Sequence, residues 1–440
     1  MDAPPSSSLT PVAEGRRGPA FGIGSVNVKH ASVHGHRHLL TLQATEALLD
    51  GSIGCPWTPL ALHKQHYDSV MSKETAFYPR LAALTDQWMD LFGYAAPSVV
   101  TDTLEEYRAV RSTAGLMDFS MLRKVDLTGP GALELLNSLL TRDLARLRSG
   151  QIAYGAFCDE RGFMIDDCTA SVFSPDRVRF CGANDLDYEI FSARAESTSV
   201  VAREFTDDTP HLCLQGPLSR VMLQPLANRD ISNAAFPYYT FRDDVEIAGL
   251  PVFMTRLGYT AELGFELWVE FGRALKLWDA LVDALTPQGM KIIGMDALDL
   301  FRIEGGFIIG GVEYDQTVPP FECGLGWAVD FGKDHFQGKA ALMHLKETSD
   351  VRLTSAVLPT GGAAASGAPL IHAGEQVGYV TQAIVSPYLD GKTLGLAKLR
   401  RPHHSPGTVL EAIVEGLAVT AEVVRHPVYE RERKRAKELA

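Results

Sequence analysis

An α+β architecture followed by a small all-β unit is the fold class that this 440-residue chain predicts. Three observations carry the prediction. A strand, turn and helix phrase occurs twice; amphipathic helices are mixed with alternating strands rather than set in regular parallel succession; and after Val351 short strand-like runs are separated by Gly and Pro. A domain boundary is therefore placed near residue 350.

The opening, DAPPSSSLTPVAEGRRGPA, is rich in Pro and Ser, and residues 1–60 are assigned to a flexible N-terminal extension. KHASVHGHRH brings His30, His34, His36 and His38 together, but no Cys, Asp or Glu stands beside them to complete a ligand set, so the segment reads as polar surface. EEYRAVRSTAGLMDFS has helical spacing that ends near Gly115. KVDLTGPGALELLNSLLTRDLARLRSG gives a strand, a Gly-Pro-Gly turn and a helix with Leu133, Leu136, Leu140 and Leu144 on one face. HLCLQGPLSRVMLQPL repeats the phrase: His211 to Gln215 is the strand, Gly216 and Pro217 the turn, and Val221, Leu223 and Leu226 the apolar positions that follow. TRLGYTAELGFELW, from Thr255 to Trp268, reads as strand, tight turn and strand, and RALKLWDALVDAL as a third amphipathic helix. The all-β unit spans 350–430. The charged tail, 431–440, reads as a solvated terminal helix.

Composition narrows the function. Fifty-four acidic against 41 basic residues give a net charge of -13, and no basic stripe compensates, which argues against a nucleic-acid partner. The six cysteines (Cys55, Cys158, Cys168, Cys181, Cys213 and Cys323) form no C-x-x-C pair and suit reduced core thiols rather than a zinc or disulfide framework. No apolar run of about 18 residues and no signal-like start is present, so a cytoplasmic protein without membrane spans is expected.

Few residues carry chemistry. In AYGAFCDERGFMIDDCTASVF a charged DERG turn leads to Asp166 and Asp167, and because strand neighbours point to opposite faces, one aspartate faces a pocket while the other meets solvent or caps the turn. Alone, the pair also fits a structural turn. Glu266 sits between Phe265 and Leu267 with Trp268 on its own face, and a solitary strand glutamate also fits a solvent-facing position. Tyr259 and Arg256, singly, fit a core ring and a surface charge.

In combination these stretches are less anonymous. The succession RAVRSTAGLMDFS, LTGPGALELLNSLLTRDLARLRSGQIAYGAF, DERGFMIDD, LQGP, TRLGYTAELGFEL, GMDALDLFRIEGG and PPFECGLGWAVDF resembles the glycine-cleavage T-protein family of tetrahydrofolate-dependent aminomethyltransferases, over roughly residues 75–430. The resemblance implies a cloverleaf of three subdomains, two α+β ones within 61–349 and a C-terminal β-barrel, with folate held in the central opening. Glu266 matches the family's pterin-binding glutamate, whose carboxylate accepts two parallel N–H bonds. Tyr259 matches the tyrosine of the Gly-Tyr turn that lines the folate site, Arg256 stands in the same segment, and Trp327 matches a tryptophan near the folate's outer part. Asp167 matches the catalytic aspartate, whose charge stabilises iminium character as the one-carbon unit is transferred; Asp166 becomes its structural partner. Tyr154 falls where members carry a tyrosine beside the folate, with a buried core ring as the alternative. Glu262, at the turn, takes a structural or rim role. No metal is implied.

Three departures separate the chain from the family pattern. GYTAELG stands where GYTGEDG is usual, Leu298 where an arginine meets the folate tail, and Gly182 where an asparagine stands; the first two are closer to the folate-binding halves of sarcosine and dimethylglycine dehydrogenases. No dinucleotide-binding fingerprint precedes the region, so a stand-alone transferase acting on a small-molecule donor is expected, with a lipoyl carrier protein the less favoured partner. The alternatives are an O-, N- or S-demethylase giving methyltetrahydrofolate and a non-catalytic folate-binding regulatory module.

Overall fold

Two sheets and a closed barrel organise residues 72–438, which are the residues that the computed structural model describes. The N-terminal extension, the histidines from His30 to His38 and Cys55 lie outside them. One sheet is antiparallel and five-stranded, in the spatial order Gln151–Cys158, Met164–Ser174, Arg177–Gly182, Arg123–Thr128, Val201–Glu204. The other has six strands, Phe241–Ile247, Leu250–Thr255, Gly264–Trp268, His211–Gln215, Gly115–Asp118 and Lys291–Ile292, of which only the last pair is parallel. The barrel runs from Val351 to Val424, and pairing of Val351–Leu358 with Leu417–Val424 closes it. The α+β class with a C-terminal barrel is thus borne out.

Local chemistry explains where several elements depart from their sequence pattern. The helix Thr103–Ser112 starts at Asp102, whose carboxylate accepts from Leu104 N at 3.0 Å and Glu105 N at 2.9 Å. It stops before Gly115, which instead opens a strand packed so closely on Ile293 and Val110 that a Cβ would collide with both. The helix Ala132–Leu139 is shorter than the leucine spacing suggests, because Thr141 leaves it to bond Ala156 O at 3.0 Å and Ala328 O at 2.9 Å. Leu136, Leu140 and Leu144 still reach one core, from separate segments. In the repeated phrase the strand His211–Gln215 stands as expected, but Val221 faces solvent, and Met222 and Leu223 supply the buried positions. The expected hairpin joins Leu250–Thr255 to Gly264–Trp268 in antiparallel register, Thr255 opposite Glu266, but through the extended connection 256–263 rather than a tight turn.

That connection is anchored by three residues. Glu262 is buried and accepts from Arg111 Nη1 at 3.1 Å, from Tyr429 at 2.5 Å and from Arg435 Nε at 2.6 Å. Arg111 also donates to Thr260 O and Glu304 Oε2, both at 2.8 Å. The tail is therefore no free solvated helix: Arg435 and Tyr429 complete a buried charge cluster, and Arg433 donates to Gly305 O at 2.7 Å. The helix Met295–Gly305 carries the barrel through Ser386, which donates to Glu304 Oε1 at 2.8 Å, and Gln382, which donates to Asp299 Oδ2 at 2.9 Å.

Arg111→Met leaves two buried carboxylates short of their shared cation, and removing one partner of such a cluster costs about 3–5 kcal/mol. Urea unfolding is expected to show that loss, against less than about 1 kcal/mol if Arg435 alone satisfies Glu262.

Candidate active site

Where the two sheets approach each other they enclose a cleft of about 1030 Å³, counting its open mouth. Its sides come from the five-stranded sheet (Tyr154, Asp167, Gly182), the six-stranded sheet (Glu266), the connection 256–263 (Tyr259) and the helix Met295–Gly305 (Leu298). Two acids line it, and among the described lining residues there is no Lys or Arg.

Strand alternation does what was expected of Asp167 and more than was expected of Asp166. Ala156 pairs with Asp167 and Phe157 with Asp166, so the two carboxylates leave opposite faces. Asp167 lines the cleft, where Tyr154 donates to Oδ2 at 2.7 Å and Tyr314 to Oδ1 at 2.5 Å. Asp166 neither meets solvent nor caps the turn; Asp159 caps it, accepting from Arg161 N at 2.9 Å and Phe163 N at 3.0 Å. Instead Asp166 is buried and collects Ala183 N at 2.5 Å, Asn184 N at 3.1 Å, Asp167 N at 2.9 Å and the Tyr314 hydroxyl at 2.9 Å. Burial first, and then the neighbouring Asp166 charge, push the Asp167 carboxyl up to about 7, while the two tyrosine hydroxyls hold it back. It therefore exchanges its proton near neutral pH.

Glu266 is buried at the centre of its sheet, between Thr255 and Cys213 on the flanking strands. Its Oε2 accepts from Thr255 Oγ1 at 2.8 Å and Trp268 Nε1 at 3.2 Å, and Oε1 takes neither bond. Burial raises its carboxyl, and Thr255, Trp268 and the Lys124 ammonium pull it back. Lys124 is itself buried. It donates to Ser120 O and Leu122 O at 2.9 Å each and stands 5.4 Å from the Trp268 ring centre, and burial brings it down to about 8. His211 and Cys213 complete a trio with Glu266 whose potential ligand atoms lie within 4.8 Å of one another. The Lys124 charge beside them works against a cation there, and the His211 ring, stacked on Trp268 at 4.7 Å, is held neutral by burial.

The remaining sequence candidates divide. Tyr259 lines the cleft, packs on Phe307 at 4.9 Å and donates its hydroxyl to Ile308 O. Tyr154 lies there too, and stacks at 6.1 Å on Trp327, which is 61% exposed and stands outside the lining. Arg256 does not join them. It is buried and turned towards the C-terminus, donating to Ala436 O at 2.8 Å and Glu438 Oε2 at 3.2 Å. Sequence reasoning missed Tyr314, Tyr239 and Lys124. Alternation along KVDLT carries only a weak hint of Lys124, and nothing local marks the tyrosines.

With this geometry the comparisons are direct. Residues 77–333 match the family described as the GCVT N-terminal domain, and residues 352–430 match the glycine cleavage T-protein C-terminal barrel domain. An aminomethyltransferase of Halothermothrix orenii is 33% identical over 81% of this chain and 99% of its own, and one of Thermotoga neapolitana is 33% identical over 81% and 98%. The chain belongs to the glycine-cleavage T-protein family. Membership makes it an enzyme of the tetrahydrofolate-dependent transferase class. The fold agrees: the glycine cleavage system aminomethyltransferase T of Bartonella henselae superposes with a TM-score of 0.74 at 24% identity, over 82% of this chain and 99% of its own. Among the described residues no helix is long and apolar enough to cross a membrane. The T-protein pattern also locates the departures: Leu298 and Gly182 both line the cleft.

The raised carboxyl of Asp167 has a consequence for stability. Its folded value of about 7 lies above the ordinary 3.8, so the folded state is penalised progressively as pH rises between them and fully above. Asp167→Asn is expected to stabilise the ligand-free protein by about 1 kcal/mol at pH 8, less than full burial implies because water in the cleft screens the charge. Thermal unfolding followed against pH should show that gain vanish towards pH 4.

Proposed function

We propose that the cleft binds the pterin of tetrahydrofolate against Glu266 and that Asp167 acts at the reacting end, in transfer of a one-carbon unit from a small donor. The observation that supports this best is the pairing of two acids with aromatic walls in one cleft with no Lys or Arg among its described lining residues. A pterin edge offers adjacent N–H donors. Glu266 offers an acceptor whose Oε1 is bonded by neither Thr255 nor Trp268, so a charge-assisted pair is open to it. Tyr154 and Tyr259 flank the same space and suit a flat ring, and the exposed Trp327, stacked on Tyr154, suits the part of the ligand that leaves the mouth.

When bound, tetrahydrofolate supplies the amine nitrogens that accept the one-carbon unit. Asp167 orients an amine through its carboxylate and stabilises positive charge as it develops on the transferred carbon. Its proton equilibrium near neutral pH suits this: a cation in the cleft draws the proton off Asp167 and leaves the charge where it is needed. Tyr154 and Tyr314 keep the carboxylate in place.

On this reading the donor is a free small molecule rather than an aminomethylated lipoyl protein, and the product is methylenetetrahydrofolate. Support comes from the apolar Leu298 in the lining and from an anionic floor, which favours an aminomethyl donor over direct displacement of a neutral methyl group. Glu266→Gln replaces an acceptor by a donor and is expected to weaken tetrahydrofolate binding by about 1.5–3 kcal/mol in calorimetry. Asp167→Asn should bind folate nearly as well and turn over ~100-fold more slowly. Incubation with tetrahydrofolate and methylamines, methoxyaromatics or the aminomethylated lipoyl protein, followed by mass analysis of the folate, tests the donor. Turnover with the lipoyl protein alone refutes a free donor, and methyltetrahydrofolate refutes the oxidation level.

A further inference from the structure

Behind Asp167 lies a third carboxyl with no evident role. Asp187, on the helix Leu186–Ala195, is completely buried, and no donor reaches either of its oxygens. An ionised carboxylate in that position is prohibitively placed, because its nearest polar neighbour is another acid. A Cβ at Gly182 would lie 2.3 Å from Asp166 Oδ2 and 2.8 Å from Asp187 Oδ2, so both oxygens converge on the gap that this glycine leaves and the two carboxyls face each other across it. Two carboxyls bond only if one carries a proton.

The donor count decides which one. Asp166 accepts three backbone N–H groups, from Ala183, Asn184 and Asp167, which favour its anion, whereas the one N–H close to Asp187, that of Asn184, is already given to Asp166. The Tyr314 hydroxyl reaches both Asp166 Oδ1 at 2.9 Å and Asp167 Oδ1 at 2.5 Å and has a single hydrogen to give, so its bond to Asp167 leaves Asp166 in need of another donor.

We infer that Asp187 is a positioning residue that carries a proton, donates it to Asp166, and so fixes the pair's one negative charge beside Asp167. The inference deepens the transferase reading and rests on it for its purpose, though not for its chemistry. The other titratable groups facing the three carboxyls are Tyr154, Tyr259 and Tyr314 with Cys168, Cys181 and Cys323, and burial pushes each of them upward, which leaves them neutral at pH 7. The Lys124 ammonium is directed at Ser120 O and Leu122 O on the Glu266 side. The aspartates alone therefore set the charge. With the Asp187 proton in place, the fixed Asp166 anion raises Asp167 into the neutral range; with Asp187 ionised, a second charge would raise it further.

The test is infrared spectroscopy of the ligand-free full chain. At about pH 9, where Asp167 is ionised, a protonated carboxyl band is expected in the wild type and in Asp167→Asn, and its loss is expected in Asp187→Asn. The titration midpoint of Asp167, read from its own carboxylate band, should barely move in Asp187→Asn, whose amide replaces the O–H donor, and should fall by about one pH unit or more in Asp166→Asn. Absence of the band, its persistence in Asp187→Asn, or a fall in midpoint in Asp187→Asn would each overturn the inference, and these readings stand even if Asp166→Asn does not fold. A protein that shows the band and its loss but turns over no donor with tetrahydrofolate refutes the transferase reading and leaves the proton assignment standing.

Discussion

The guanidinium of Arg111 is the contact on which the described molecule closes. From the helix Thr103–Ser112 it reaches Glu262 in the connection 256–263, Glu304 in the helix Met295–Gly305, and the Tyr429 ring, whose centre lies 3.7 Å from its central carbon. Two of those segments bring a residue to the cleft, Tyr259 and Leu298, and the third leads into the tail that holds Arg256 away from it. A buried carboxylate is tolerable only with donors, so Glu262 and Glu304 hold their segments against this one cation. Tyr259 reaches the cleft because Glu262, three residues on, cannot leave Arg111.

Seen against that cluster, the acids of the cleft are under-supplied. Glu262 receives two guanidinium groups and a phenol, and Glu313 receives Arg302 at 3.1 Å. Asp167 receives two phenols and no cation, and Glu266 receives a hydroxyl and an indole, with Lys124 nearby but bonded elsewhere. The same residue type is thus neutralised where it builds and left short of partners where it lines the cleft. Groups held in this way cost stability in the free protein and return it when a complementary ligand arrives.

What was legible in the sequence follows the range of the interactions involved. Strand alternation is local and puts Asp166 and Asp167 on opposite faces, but alone it does not say which of them meets the pocket and leaves Glu266 open to solvent; only the motif order, through the family resemblance, singles out Asp167 and Glu266. The barrel could be read from its run of short strands. Arg256 could not, since its direction is decided by Ala436 and Glu438, far along the chain, and the tail's charges gave no sign that Glu262 was waiting for Arg435. Tyr314 meets Asp167 across nearly 150 positions, and no pattern in GVEYDQT marks it. The helix after Gly131 was overextended because leucine spacing reports burial and not continuity; the Thr141 bonds that break it are tertiary.

The Asp166 and Asp167 pair shows how little backbone separates an acid locked in the interior from one that lines the cleft. They are adjacent, share Tyr314, and differ by the face of one strand. On one face three backbone N–H groups hold the carboxylate; on the other, two phenols and a cleft leave a charge that depends on what enters. A strand slipped by one residue would exchange the two roles, which is why the register of Met164–Ser174 against Gln151–Cys158 matters more here than either side chain alone. The bulge between Phe157 and Cys158 lies at the end of that register, just beyond Asp166, and Cys158 and Phe157 are both buried, so neighbouring core packing opposes any such slip.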